Sequence, residues 1–248
     1  FTLIPLGVTI MYFFQVNPWM NLFLLPTFIT IYYASIRRVQ MEKETINALL
    51  TFAKAVDDRI PDTMKHSIRV ANWTKKLCER LNLSAEQSYF ITIAAQLHDI
   101  GKLIIPDAIL LKPAPLSDKE FNIIKQHPIK GDEILNHFSH FEEGAKIIRY
   151  HHEYFNGKGY PDGLKGESIP LGARIIGVVD AFDAMISPRP YKNKLITIEE
   201  ALNKIRKAEG TQFDPVVAEV FCQMVREKVE EEKEEHVKGE DFFPVLND

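Results

Sequence analysis

Charge is missing from the first 36 residues: they contain no Asp, Glu, Lys or Arg, and the first charged side chain is Arg37. So long a stretch without charge argues against a solvated surface segment. The net charge of −4 falls wholly on the remainder, which argues against a general duplex nucleic-acid binder presenting a basic face. A small phosphate ligand held through metal ions stays compatible with it. Cysteine is scarce as well. Cys78 and Cys222 are far apart, each within a helix-like pattern, which speaks for buried apolar thiols and against a disulfide framework or a thiolate metal site. Any metal must then be held by imidazole and carboxylate, a donor set that fits iron or manganese, with zinc less favoured. Internal repeats and convincing period-2 strands are also lacking, so the expected fold is all-α.

Two apolar runs, residues 1–16 and 19–36, flank Asn17-Pro18, which suits a reversal between two helices. Each is a little short of the ~20 residues needed to span a bilayer. Because the chain opens on Phe1, the first run reads as cut from a longer protein. Residues 1–36 are therefore expected to be a transmembrane hairpin, with Trp19, Tyr32 and Tyr33 as interfacial aromatics. Arg37, Arg38 and Lys43 come after the apolar segment, which argues against a secretory signal peptide and puts the rest of the chain on the cytoplasmic side of the inner membrane. The alternative is a buried helical hairpin.

Helical periodicity governs the chain from Met41 onward. Ile46, Leu49, Leu50, Ala53 and Val56 recur at helical spacing over 41–59, which predicts a connecting helix within 37–60. It either carries a signal or packs on the next domain. One amphipathic helix is expected over 62–81. Ser84 with Gln87, Ser117 with Glu120 and Thr197 with Glu200 are capping boxes that open further helices. The Ser84 helix runs to His98-Asp99, where Gly101 stops it. Pro128 suits a first-turn position, and helices are expected over 141–152, over 171–186, and from Pro215 onward. Residues 153–170 hold Gly157, Gly159, Pro161, Gly163, Gly166 and Pro170, which makes a loop. The tail, 229–248, is dense in Glu and Lys and reads as a solvated helix end fraying into a disordered terminus.

Five of the eight histidines, His66, His98, His127, His151 and His152, fall with Asp99 and Asp180 at the ends or on single faces of these helices. Singly each is more often a core or surface residue than a ligand. A helical core can nevertheless bring scattered imidazoles and carboxylates together. His66, His98-Asp99 and Asp180 resemble the metal-binding frame of the HD superfamily of phosphohydrolases. His127-Pro128, His151-His152-Glu153, Gly157-Lys158-Gly159-Tyr160-Pro161 and Arg189-Pro190-Tyr191 resemble its HD-GYP subfamily, whose members hydrolyse cyclic di-GMP. The likeness runs over about 45–225, with a catalytic domain expected at 61–228 in an HD-domain helical bundle.

The resemblance implies that His66, His98, Asp99, His127, His151, His152 and Asp180 ligate two divalent ions, iron or manganese, with Asp99 bridging. Lys102 is then catalytic and near the phosphate, Arg189 and Lys192 contact the nucleotide, and Asp183 orients a ligand histidine. Members with a third metal carry Glu four residues before the first histidine, where this chain has Asp62. The shorter side chain can ligate the third ion, bind it through water, or only cap the helix. Asn156 and Ala114 depart from the family's usual Asp and Gly without touching a ligand position, and His137 and His140 match none. The implied partners are cyclic di-GMP, a second copy of the chain in a homodimer, and a diguanylate cyclase docking on the Gly-Tyr-Pro loop, which otherwise shapes the site's rim. The expected reaction opens cyclic di-GMP to pGpG, or onward to GMP. The alternatives are a non-catalytic cyclic di-GMP receptor and an HD phosphohydrolase of another nucleotide.

Overall fold

Local signals set the starts of three helices. The computed structural model describes residues 3–16, 19, 25–59, 66–138, 141–187 and 196–237. Its helices are α1 (Leu3–Val16), α2 (Leu25–Arg59), α3 (His66–Arg80), α4 (Ala85–Leu97), α5 (Asp107–Leu110), α6 (Asp118–Ile124), α7 (His127–Leu135), α8 (Glu142–Tyr150), α9 (Leu171–Ile186), α10 (Ile198–Lys207) and α11 (Pro215–Val237). All three capping boxes form, each hydroxyl accepting from the backbone N–H three residues on, and each Gln or Glu side chain returning to the cap N–H. Among the described residues there is no strand, only two isolated bridges, Asn156 with Lys165 and Glu209 with Phe213. The all-α expectation holds.

The chain divides into two units, 1–48 and 49–248. In the first, no described helix is long and apolar enough to cross a membrane. Helix α1 has 14 residues, about 21 Å at 1.5 Å per residue, against the ~30 Å of a hydrocarbon core. The apolar start of α2 continues without a break into the charged run from Arg37. The transmembrane hairpin expected at 1–36, and the inner-membrane location argued from it, therefore lose their support. The Asn17-Pro18 reversal lies outside the described residues.

The second unit is built around α9, whose buried face carries Ile175, Ile176, Val179 and Phe182. Helices α3, α4, α8, α10 and α11 all pack on it, α3 also packs on α4, and α7 packs on α8. Trp73, Phe182 and Phe221 form a triad of edge-to-face rings with centroids 5.1–6.1 Å apart. Each such ring contributes roughly 1.5–3 kcal/mol by leaving water. Cys78 and Cys222 are free and buried, as their context implies. Helix α11 reaches Val237, past the expected start of the tail at 229. A short 3-10 helix, Ile100–Ile104, comes after α4. It presses so closely on α7 that an ideal Cβ at Gly101 would lie 1.9 Å from the carbonyl oxygen of His127 and 2.6 Å from Gly131 N.

Candidate metal centre

The last four carbonyls of a helix lack intrahelical partners, and three of the predicted ligands use that vacancy. His98 caps α4 and its Nδ1 lies 2.7 Å from Ala95 O. His127 stands just beyond α6, with Nδ1 2.8 Å from Ile124 O. His151 caps α8, with Nδ1 2.6 Å from Ile148 O. A carbonyl only accepts, so each Nδ1 carries a ring proton, and in the neutral imidazole each Nε2 is left with a bare lone pair. One local device, imidazole to the carbonyl three residues back, thus fixes tautomer and direction three times.

The bare nitrogens converge. His127 Nε2 and His151 Nε2 face each other at 3.4 Å, and two lone pairs at that distance repel unless a cation lies against both. His98 Nε2 is buried with no hydrogen-bond partner, which is costly for a polar atom out of water. Asp99 reaches both sides: Oδ1 lies 3.3 Å from His127 Nε2, and Oδ2 lies 3.4 Å from His98 Nε2. Lys102 Nζ sits 2.5 Å from Asp99 Oδ2. Burial would raise the Asp99 carboxyl, but the Lys102 charge and the two histidines outweigh it and hold it well below the usual range.

His66, the first residue of α3, is oriented differently. Its Nδ1 lies 2.6 Å from Asp183 Oδ2 and its Nε2 3.2 Å from Asp180 Oδ1. This is the carboxylate–histidine arrangement found behind metal ligands, and Asp183 takes the orienting place its spacing from Asp180 suggests. Asp183 is itself gripped by Arg69, Nε to Oδ1 at 2.7 Å and Nη2 to Oδ2 at 2.9 Å. Sequence reasoning missed Arg69, whose only local signal is its place one turn beyond His66. It also missed Asp57, buried on α2, whose Oδ2 accepts from Ser67 N at 3.1 Å and so caps the start of α3.

Electrostatics divides the cluster. Burial, then the Lys102 charge and neighbouring imidazoles, push His127 down to about 3 and His152 to about 4, and His151 falls well below its ordinary value. Those three are neutral donors at pH 7. Burial acts to lower His66 too, but its bonds to Asp180 and Asp183 prevail and raise it to about 10. Three sets of donor atoms lie within 4.8 Å of one another: His127, His151 and His152; His66, His98 and Asp180; His98, Asp99 and His151. Shared members join them into one continuous cluster. The unpartnered His98 nitrogen and the facing pair fit divalent cations. Asp62, Arg189 and Lys192 lie outside the described residues.

The loop after His152 folds back on its own start. Tyr160 N donates to His152 O at 3.2 Å, and the Tyr160 ring tilts over the His152 ring with centroids 4.9 Å apart. A Cβ on Gly159 would lie 2.1 Å from Tyr154 N, so only glycine permits that return. A cavity of about 260 Å³ opens beside the cluster, lined in part by His152, Glu153, Tyr160, Phe121 and Asp180.

Residues 51–217 match the family described as HD domain. The chain belongs to the HD-domain family. Over 187 residues it is 43% identical to the cyclic di-GMP phosphodiesterase response regulator RpfG of Xanthomonas campestris pv. campestris, covering 73% of this chain and 48% of that one. It is 42% identical over 168 residues to a cyclic di-GMP phosphodiesterase of Thermotoga maritima, covering 67% and 45%. This HD-domain chain thus spans about half the length of these curated relatives. Its fold also resembles a solved cyclic GMP-AMP specific phosphodiesterase of V. cholerae, with a TM-score of 0.55 at 23% identity, covering 73% of this chain and 48% of that one. Divalent-metal binding belongs to the HD domain, and the histidine–aspartate cluster is where this chain offers it.

Proposed function

We propose that this chain is the catalytic part of a metal-dependent phosphodiesterase that opens cyclic di-GMP to pGpG. The observation that carries the reading is the buried cluster, in which His127 Nε2 and His151 Nε2 face each other at 3.4 Å across from an unpartnered His98 Nε2, with Asp99 between. His66, His98, Asp180 and Asp99 would hold one cation, and His127, His151, His152 and Asp99 a second. Asp62 would extend the row to a third. Iron or manganese, when bound, would supply the positive charge that offsets a phosphodiester's oxygens and the acidity that makes water a nucleophile at neutral pH. Asp99 contributes negative charge shared by the two sides. Lys102 keeps a cation beside it, placed to meet a phosphate oxygen, and Arg189 and Lys192 would grip the nucleotide. The substrate is inferred from the names borne by the relatives.

The test is direct. Protein purified without oxygen and loaded with Mn(II) or Fe(II) is expected to convert cyclic di-GMP to pGpG by ion-pair chromatography, with 3′3′-cGAMP run beside it as the competing substrate. Loaded protein that binds the dinucleotide and never cleaves it would leave a receptor in place of an enzyme.

The acid–base pattern makes a second prediction. In the metal-free chain His66, raised to about 10, holds a proton at pH 7 that a cation must displace, whereas His127 and His152, lowered to about 3 and 4, hold none. Loading at pH 7 should therefore release at least about one proton per chain, and apparent affinity should climb by roughly tenfold per pH unit through that range. The sign comes from the raised pKa: protonated His66 competes with the metal at every pH below about 10. Calorimetric titrations in two buffers of different ionisation heat would expose the proton, and buffer-independent heats would contradict it.

A further inference from the structure

Of the five clustered histidines, four are steered by a hydrogen bond at Nδ1, to a carbonyl for His98, His127 and His151 and to Asp183 for His66. Among the described residues, His152 makes no such bond. What touches its ring is other rings: His151 at 4.0 Å, Tyr160 at 4.9 Å and His127 at 5.1 Å between centroids. The interplanar angle to Tyr160 is 34°, close enough to parallel for an offset stack. An imidazole turns about two side-chain bonds, so without a hydrogen bond only packing on its face can choose among its orientations.

The loop that carries Tyr160 is, in turn, fastened by a network just beyond it. Glu153, the residue after His152, accepts at Oε1 from Asp162 N at 2.7 Å and Gly163 N at 2.8 Å. The Asp162 carboxylate is forked by Arg149 of α8, Nε to Oδ2 at 3.0 Å and Nη2 to Oδ1 at 3.1 Å. Arg149 Nη1 also reaches Asp132 Oδ2 on α7, at 3.2 Å. Lys125 Nζ lies 5.4 Å from the centre of the Tyr160 ring, within cation–π range. The loop is thereby fastened to α7, which begins at His127, and to α8, which His151 caps.

We propose that Tyr160 is a positioning residue for His152. Its flat ring, locked by Arg149, Glu153 and Asp162, does for His152 what a hydrogen bond does for the other four histidines. This rests on the proposed metal centre and assigns the Gly-Tyr-Pro loop a task inside the site, independent of any docking partner. The phenolic hydroxyl has no part in it. The ring must be planar and fixed, and it need not be a tyrosine.

Three variants separate ring, bulk and lock. Tyr160→Phe keeps the ring, Tyr160→Leu keeps the volume without a flat face, and Arg149→Met keeps both rings and releases the loop. Mn(II) is titrated anaerobically into each full chain against a chromophoric chelator, with circular dichroism as the check on folding. Tyr160→Phe should bind within about threefold of wild type, while Tyr160→Leu should lose about 10–100-fold at one of two sites, the range for removing a group that orients a ligand. Arg149→Met should fall between them. In the metal-free chain, nuclear Overhauser contacts between the His152 ring and the rings of His127 and His151 should persist in Tyr160→Phe and weaken in Tyr160→Leu and Arg149→Met. Leu binding Mn(II) as tightly as wild type, or Phe binding as weakly as Leu, would overturn the proposal. A wild-type chain that takes up no Mn(II) would sink the metal-centre reading instead, a distinct failure.

Discussion

Asp99→Asn should remove the proposed cyclic di-GMP turnover and most metal uptake while leaving the helices intact. The substitution keeps the size of the side chain and deletes one charge, which faces His98 Nε2, His127 Nε2 and Lys102 Nζ at 3.4, 3.3 and 2.5 Å. Taking one partner from a buried ion pair costs about 3–5 kcal/mol, because Lys102 would lose the carboxylate beside it. The same loss applied to a transition state is about two to four orders of magnitude in rate. Metal uptake should fall with it, since the carboxylate lies against His98 on one side of the cluster and His127 on the other. Elemental analysis and kcat/KM on the same preparation give the answer. An Asn variant that kept its metals and its rate would mean that Asp99 joins nothing.

Gly101→Ala is the second large effect, and it comes from backbone. The added Cβ would sit 1.9 Å from His127 O, 2.8 Å from His127 C and 2.6 Å from Gly131 N, and none of these atoms belongs to a side chain that could turn away. The 3-10 helix must lift from α7. Asp99 and His127 lie on opposite sides of that contact, so their 3.3 Å approach would open. Overpacking of this kind costs typically 1–3 kcal/mol, which for a chain of this size lowers Tm by roughly 2–12 °C. Metal affinity should fall further than the stability change accounts for. Thermal unfolding with and without Mn(II) separates the two, and a variant with wild-type Tm and metal content would show that the close approach is dispensable.

The helix boundaries read from sequence were those encoded within a few residues. Helices α4, α6 and α10 were legible because Ser84, Ser117 and Thr197 announce them locally, and α9 because Pro170 precedes an apolar run that ends at Ile186. The histidines were legible as a set, and Asp183 as an orienting group from its spacing to Asp180. Arg69 was not, because its partner lies 114 residues away and nothing near either residue signals the pairing. Gly101 was visible as a helix stop, whereas its larger task, admitting α7, depends on a surface that only folding supplies. The apolar start of the chain suggests a membrane hairpin by composition, but no described helix there is long and apolar enough to cross a membrane. Composition registers hydrophobicity, while spanning a bilayer needs an unbroken helix of sufficient length.

The bonds from His98, His127 and His151 to the carbonyls of Ala95, Ile124 and Ile148 have a dynamic consequence. Helix termini are where chains open first, yet here the final turns of α4, α6 and α8 supply the carbonyls that hold the imidazoles. A cation gripping those nitrogens would bind the ordered turns and not the frayed ones, so occupancy would favour the ordered turns by mass action. Amide exchange at these three helix ends should slow together on loading, which would make the local order of the backbone a gauge of how full the centre is.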